Sequence, residues 1–445
     1  MNDQAVDLQK TTSRLLGVYP QRQQGLFMQR INILGGRINW PQWRQVALLT
    51  EKYSRGFPLH ITTRQDIELH NIPGKDIPAV QQNLAEVGLM TFGACGDTVR
   101  NVTVCTACDF CPQGLDLLPL AYLIRQYIEH HPLILTLPRK FKISFSGCQK
   151  ACAKPYLNDL AFVAQPDRKF TAIGAGSLGP RPSLSIELYK DLPPADILPL
   201  CIASVEFFAQ YGDRENKHKA RLRHIREKFS DDTFKAMLDE HFNQVKARQP
   251  WPQLLPASGQ QNASLLSRLQ LPCGNIAPQQ ALKLAAAAEP KSATLRINLE
   301  HGLELYGSQP VQLPDDLSVF ANNPVIIACP GSVTCSKGLA DCWALAELLK
   351  KTLADCNLSN LLISISGCPN NCAHSAVADI GLVGILRKEN NQSTQQFRIF
   401  VGGGNGKNDR LAQQFSVVKA GDVPNAIHNL LNNPQNPCSN FAKAL

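Results

Sequence analysis

KISFSGCQKACAKPYLNDLAFV (142–163) and LISISGCPNNCAHSAVADIGLV (362–383) align without a gap, although they lie in opposite halves of a 445-residue chain. Each is a short apolar run closing on a glycine, then C-x3-C, then an aspartate (Asp159, Asp379) seven residues after the second cysteine. An apolar run of this length suits a strand that delivers ligands from its C-terminal end. Each copy is preceded by a C-x5-C pair, Cys105 with Cys111 and Cys329 with Cys335, 36 and 32 residues upstream of the C-x3-C. The chain is therefore an internal duplication.

The repeat extends upstream. INILGGRINWPQ (31–42) resembles LQLPCGNIAPQQ (269–280), and PLHITTRQDIELHNI (58–72) resembles TLRINLEHGLELYGS (294–308). HITTRQDIEL and ATLRINLEHGLEL alternate as strands do. DLLPLAYLIRQYIEHH (116–131) and LADCWALAELLKKTLAD (339–355) have helical spacing, and 201–248 reads as a charged helical stretch closing the first half. Strands mixed with helices predict an α+β fold of mixed α/β layers with pseudo-twofold symmetry. The expected units are 20–88, 89–245, 265–318 and 319–445, with the Pro-, Gln- and Ser-rich 246–264 as a linker.

A chain of this length can bury a sizeable core. MNDQAVDLQKTTSR has no apolar run after a basic start, so no secretory signal is expected, and no stretch reaches a membrane-spanning length. The expected location is the cytoplasm. The net charge of +9 suits an anionic substrate or an acidic electron donor. Its Lys and Arg residues are scattered without an aromatic ladder, which argues against nucleic acid.

Fifteen cysteines are many for a compartment where disulfides are rare, and eight of them fall into the two sets of four. Four thiolates are the complement of a [4Fe-4S] cluster, one per iron. Zinc is the alternative, but its sites favour C-x2-4-C knuckles over x5 and x3. Cys105-Thr-Ala-Cys108-Asp-Phe-Cys111-Pro also echoes a bacterial ferredoxin run whose next cysteine would fall at Leu115, and Cys108 is a candidate substitute ligand.

At these residues the chain resembles the sirohaem-dependent sulfite and nitrite reductases. ACPGSVTC (328–335) and ISGCPNNCAHSAVADIGLVG (365–384) are similar to that family's cluster-binding region. TTRQDIELH (62–70), GDTVRNV (96–102), LPRKFK (137–142), NDLAFV (158–163) and GDRENKHKARLRH (212–224) match its other hallmarks in order. The resemblance implies a ferredoxin-like half-domain followed by a cluster and sirohaem domain, twice over. It implies that Cys329, Cys335, Cys368 and Cys372 hold the cubane, with Cys372 also an axial ligand of the sirohaem iron. It places Arg64, Arg100, Lys140 and Lys142 on the open face of the haem, where cations would orient a small anion and stabilise departing oxygens. Arg37, Arg214 and Lys219 are the candidate partners of the sirohaem carboxylates. Arg139 reads as structural, and His374 as a packing residue rather than a proton donor.

The sequence departs from the family in keeping four cysteines in the first half as well. Opposite Arg64, Arg100, Lys140 and Lys142 the second half has Glu300, Pro324, Asn360 and Leu362. A single catalytic site is therefore expected, made by first-half cations and second-half cysteines. Cys105, Cys111, Cys148 and Cys152 would bind a second cluster, as an electron relay or a structural staple, the alternative being an unloaded relic of the duplication.

The expected activity is a six-electron reduction of sulfite to sulfide or nitrite to ammonia, with sulfite slightly favoured. The rivals are a corrin-pathway oxygenase with one cluster and a non-catalytic two-cluster electron carrier, neither of which needs the basic quartet. VGGGNG (401–406) does not open a dinucleotide-binding unit, so electrons should come from a separate ferredoxin or flavoprotein.

Overall fold

Both copies of the repeat build the same sheet. In the computed structural model, which describes residues 10–111, 113–259, 263–358, 361–389 and 392–432, the first copy's order is Thr103–Val104, Ile143–Ser146, Leu160–Ala164, Phe170–Gly174, Ile186–Leu192. The second follows the same order with Val325–Ala328, Leu362–Ser366, Ile380–Glu389, Gln392–Val401 and Gln413–Lys419. In each, the first three strands run parallel and the last two antiparallel. The central strands Ile143–Ser146 and Leu362–Ser366 are buried throughout, as parallel strands covered on both faces are. A helix joins the first strand to the second in each copy, Leu118–Glu129 in one and Cys342–Thr352 in the other. Asp341 caps the second by accepting from the N–H groups of Trp343 at 3.1 Å and Ala344 at 3.0 Å.

The two leading stretches exchange strands. Leu26–Ile31, Ile67–Pro73 and Leu59–Ile61 form a sheet that is completed by Asn275–Ile276 from the second half. Ser264–Gln270, Gly302–Gly307 and Thr294–Ile297 are completed in turn by Arg37–Ile38 from the first. Their helices, Trp40–Tyr53 and Pro278–Ala288, pack together over one core that includes Trp43, Val46, Ile67, Leu284 and Leu303. The indoles of Trp40 and Trp43 donate across it to the carbonyls of Ala293 at 2.8 Å and Ala281 at 2.9 Å.

Two readings of the sequence are corrected. HITTRQDIEL and ATLRINLEHGLEL are hairpins rather than single strands, because Gln65 (φ 61°) and His301 (φ 60°) turn the chain through the left-handed region. The stretch 201–248 is not uniformly charged: Ile197–Tyr211 is an apolar, largely buried helix, and the charged helices begin at Leu222. Cys438, Asn360, most of the N-terminal stretch and residues 260–262 of the linker lie outside the described residues.

Candidate functional site

The two hairpin turns cross to opposite cysteine loops. In the first, Thr62 Oγ1 accepts from the N–H groups of Arg64 and Asp66, both at 3.1 Å, which shapes the turn. Thr63 Oγ1 then donates to the carbonyl of Cys372 at 3.0 Å. Arg64 reaches the first-half sheet, donating to Asn158 Oδ1 at 3.0 Å and to the carbonyls of Asn101 at 2.8 Å and Ile143 at 3.1 Å. In the second turn Asn298 Oδ1 takes the role of Thr62, and Glu300 pairs at 3.3 Å with Lys154, two residues beyond Cys152. Two further bonds cross in the same sense: Asn371 Nδ2 donates to Gly179 O at 3.0 Å, and Tyr156 N to Gly406 O at 3.2 Å.

Cations converge beside Cys372. Burial holds the Lys140 ammonium down at about 7, with Arg221 and Arg100 adding to the effect and Cys372 opposing it. Lys142 is lowered well below the usual lysine range by burial, then by Arg64, Lys140 and Arg221. Arg64 is held down at about 9 by burial, with Arg100 and Arg221 adding to the effect and Asp66 and Asp159 opposing it. Buried like charges that depress one another in this way are relieved by an anion among them. This concentration of positive charge favours binding of a small anion.

The other predicted positions are placed as follows. Arg100 lies in the cluster, but its guanidinium is occupied by the carbonyls of Ala94 at 2.8 Å and Gly96 at 2.8 and 3.1 Å, so it acts there through its field. Arg139 pairs with Asp97 at 3.0 Å. Arg37, Arg214 and Lys219 are not brought to Cys372 by any described contact. Arg37 lies 3.7 Å from Asp109, inside the first C-x5-C, because its strand has crossed to the other sheet. Arg214 donates to the carbonyls of Thr136 at 2.5 Å and Ala209 at 2.7 Å, and Lys219 is exposed. His374 is buried in the left-handed region at φ 65°.

Arg221 was missed. It chelates the fully buried Asp159 through bonds of 3.1 and 2.6 Å, while Asp159 also accepts from Lys142 N at 2.8 Å. The duplication marked Asp159, but nothing in GDRENKHKARLRH separates Arg221 from its basic neighbours.

The cysteine loops suit clustered thiolates. Gly367 N donates to Cys329 Sγ at 3.2 Å, and Gly147 N to Cys105 Sγ at 3.1 Å. Such N–H···S bonds stabilise cluster sulfurs and tune their potential. A side chain on Gly367 would stand 2.7 Å from the Gly331 backbone, so the two second-half cysteine segments can approach only as glycines. Burial, then the Cys329 thiol, pushes Cys372 up to about 12, with Cys368 and Cys335 adding to it and Lys140 opposing. The four second-half cysteines thus share one neighbourhood, where cationic iron would offset the repulsion between thiolates. Among the described residues no three His, Cys, Asp or Glu side chains converge as ligands of a single ion. A cubane does not require that convergence, since each iron takes its own cysteine.

Residues 95–246 and 321–433 match the model of the nitrite and sulphite reductase 4Fe-4S domain, and residues 19–87 that of the nitrite/sulfite reductase ferredoxin-like half domain. A chloroplastic ferredoxin–nitrite reductase of Oryza sativa subsp. japonica is 27% identical, covering 89% of this chain and 73% of its own. The ferredoxin–nitrite reductase of Synechococcus elongatus is 28% identical, covering 92% and 86%. Sulfite reductase [ferredoxin] 2 of Mycolicibacterium paratuberculosis is 26% identical, covering 91% and 81%. The solved structure of the Mycobacterium tuberculosis NirA protein shares the fold, with a TM-score of 0.81 at 21% identity over 98% of this chain and 90% of that one.

Proposed function

The chain belongs to the nitrite and sulphite reductase family, and on that premise we propose that this iron–sulfur oxidoreductase reduces nitrite to ammonia or sulfite to sulfide at a sirohaem coupled to the cluster of Cys329, Cys335, Cys368 and Cys372. The observation that carries the proposal is the crossing of the halves. The Thr63–Arg64 turn is tied to Cys372, and Lys140, also from the first half, lies within electrostatic reach of the same residue. Cys372, with Cys329, Cys335 and Cys368, would hold the cluster and present its thiolate to the sirohaem, which when bound would supply electrons to the anion. Arg64 and Lys142 hold that anion by charge, in a half-buried setting where each contact counts for more than in open water. Lys140, poised near neutrality, holds a proton that it can surrender at Nζ. For nitrite the balance is NO₂⁻ plus six electrons and eight protons to NH₄⁺ and two waters.

The relatives' names span both anions, so the proposal covers both and departs from the preference for sulfite. Those names also favour ferredoxin over a flavoprotein as donor. A bare electron carrier or a corrin-ring oxygenase has no use for cations buried beside Cys372. Among the described residues no helix is long and apolar enough to cross a membrane. The cytoplasm is the proposed setting, since thiolate ligands need a reducing compartment.

The test is steady-state turnover of sirohaem-loaded protein with each anion and reduced methyl viologen. Six dye equivalents should be oxidised per ammonium or sulfide formed. Loaded protein that turns over neither anion would refute the proposal.

A further inference from the structure

We infer that Cys105, Cys111, Cys148 and Cys152 hold a second [4Fe-4S] cluster that takes up electrons from an acidic one-electron donor docking on a basic surface around Lys150 and Lys407. The inference rests on the reductase reading for the destination of the electrons, but not for the cluster itself.

The first-half loop has the geometry of the second-half one. Both C-x3-C segments follow the middle strand of the three parallel strands of their sheet, and both have the same N–H···S bond from the glycine before the third cysteine. Both turn through the left-handed region at matching places: Ala151 (φ 53°) with Asn371 (φ 55°), and Lys154 (φ 52°) with His374 (φ 65°). These are non-glycine residues in a conformation that costs energy, and the fold imposes it twice.

What the first-half loop lacks is a place for an anion. Glu300 stands where Arg64 stands in the other copy, and the buried Lys154 pairs with it. An ion pair there offers nitrite or sulfite no net positive charge, so this site would pass electrons without competing for substrate.

Its surroundings face solvent. Cys152 reaches the surface and Lys150 beside it is exposed. Gly406 O accepts from Tyr156 N at 3.2 Å, which sets the exposed Lys407 of the second half beside the same loop. Gln149 donates to Gln165 at 2.7 Å, joining the turn that carries exposed Arg168. Asp167, Asp409, Glu187 and the half-buried Glu300 are acids of this surface, and the cations are spread across both halves. A patch of this sign steers an acidic partner and makes its association sensitive to salt. Each donor molecule would be oxidised by one electron and the first-half cluster reduced by one. The electron would then be passed on to the second-half cluster, six times per anion.

The experiment uses the full chain, purified anaerobically with its sirohaem. Wild type should contain about eight non-haem irons per chain, four for each set of four cysteines. Cys148→Ser should fall to about four while keeping the sirohaem absorption. Lys150→Glu combined with Lys407→Glu, a surface change that spares the fold, should lower the ratio of ferredoxin-driven to viologen-driven turnover about tenfold at low salt, and less as salt rises. About four non-haem irons in wild type would overturn the cluster. An unchanged ratio in the double variant would overturn the docking surface. Failure of viologen-driven turnover in wild type would instead count against the reductase reading and leave the iron count standing.

Discussion

The hydroxyl of Thr63 donates to the backbone carbonyl of Cys372 at 3.0 Å, tying a hairpin turn of the first half to the last cysteine of the second. The next residue, Arg64, reaches back from that turn to Asn158, Asn101 and Ile143 in the first-half sheet. One turn therefore touches both components of the site. The halves cannot separate without dismantling it.

Replacing Arg64 with Ala should lower viologen-driven turnover by about a hundredfold, since one preorganised electrostatic group at a reacting centre is worth about 2.7 kcal/mol. Arg64→Lys should recover only part of the loss, because an ammonium cannot repeat the guanidinium's spread of bonds to Asn158, Asn101 and Ile143. The measurement is kcat/KM with each anion. Activity within about twofold of wild type in Arg64→Ala would remove this residue from the site.

A pH dependence follows from Lys140. Its ammonium, lowered by burial to about 7, is present below that pH and lost above it. Because the cation carries the proton to be surrendered, kcat/KM should fall as pH rises through about 7, and Lys140→Arg, which keeps the charge but cannot give up its proton, should lower turnover and remove the falling limb near 7. A profile that stays flat from about pH 6 to about pH 9 in wild type would contradict this role.

Asp159 and Asp379 occupy equivalent places but differ in partners. Asp159 is fully buried and bound bidentately by Arg221, whereas Asp379 accepts from Leu362 N at 2.9 Å and Asn405 Nδ2 at 3.2 Å. Asp159→Ala leaves the Arg221 charge unpaired in the interior and should cost about 3–5 kcal/mol. Asp379→Ala loses neutral hydrogen bonds and should cost about 1–3 kcal/mol. Urea unfolding of the two variants should rank them in this order.

The duplication was legible because each copy has to close the same sheet on the same cysteine loop, and the strands Ile143–Ser146 and Leu362–Ser366 lie where the apolar runs end. Alternation misled at HITTRQDIEL, since period-two spacing persists across a tight turn when the residue that reverses the chain is Gln65 rather than Gly. The strand exchange of Arg37–Ile38 and Asn275–Ile276 is invisible in sequence: a two-residue strand has no periodicity, and only tertiary pairing decides which sheet it joins. That exchange is what sets Arg37 beside Asp109. Arg221 escaped for a related reason, because its partner Asp159 lies 62 residues away.

The most direct test of a single catalytic site shared between the halves is a comparison of Cys372→Ser with Cys152→Ser, its counterpart in the repeat. Both proteins would be purified anaerobically, and their visible absorption and viologen-driven turnover recorded side by side. Cys372→Ser should lack the coupled sirohaem–cluster spectrum and all reductase activity, because under the proposed function its thiolate would serve both groups, while Cys152→Ser keeps the sirohaem bands. Sirohaem bands and turnover surviving in Cys372→Ser, but lost in Cys152→Ser, would place the reaction in the other half and contradict the account.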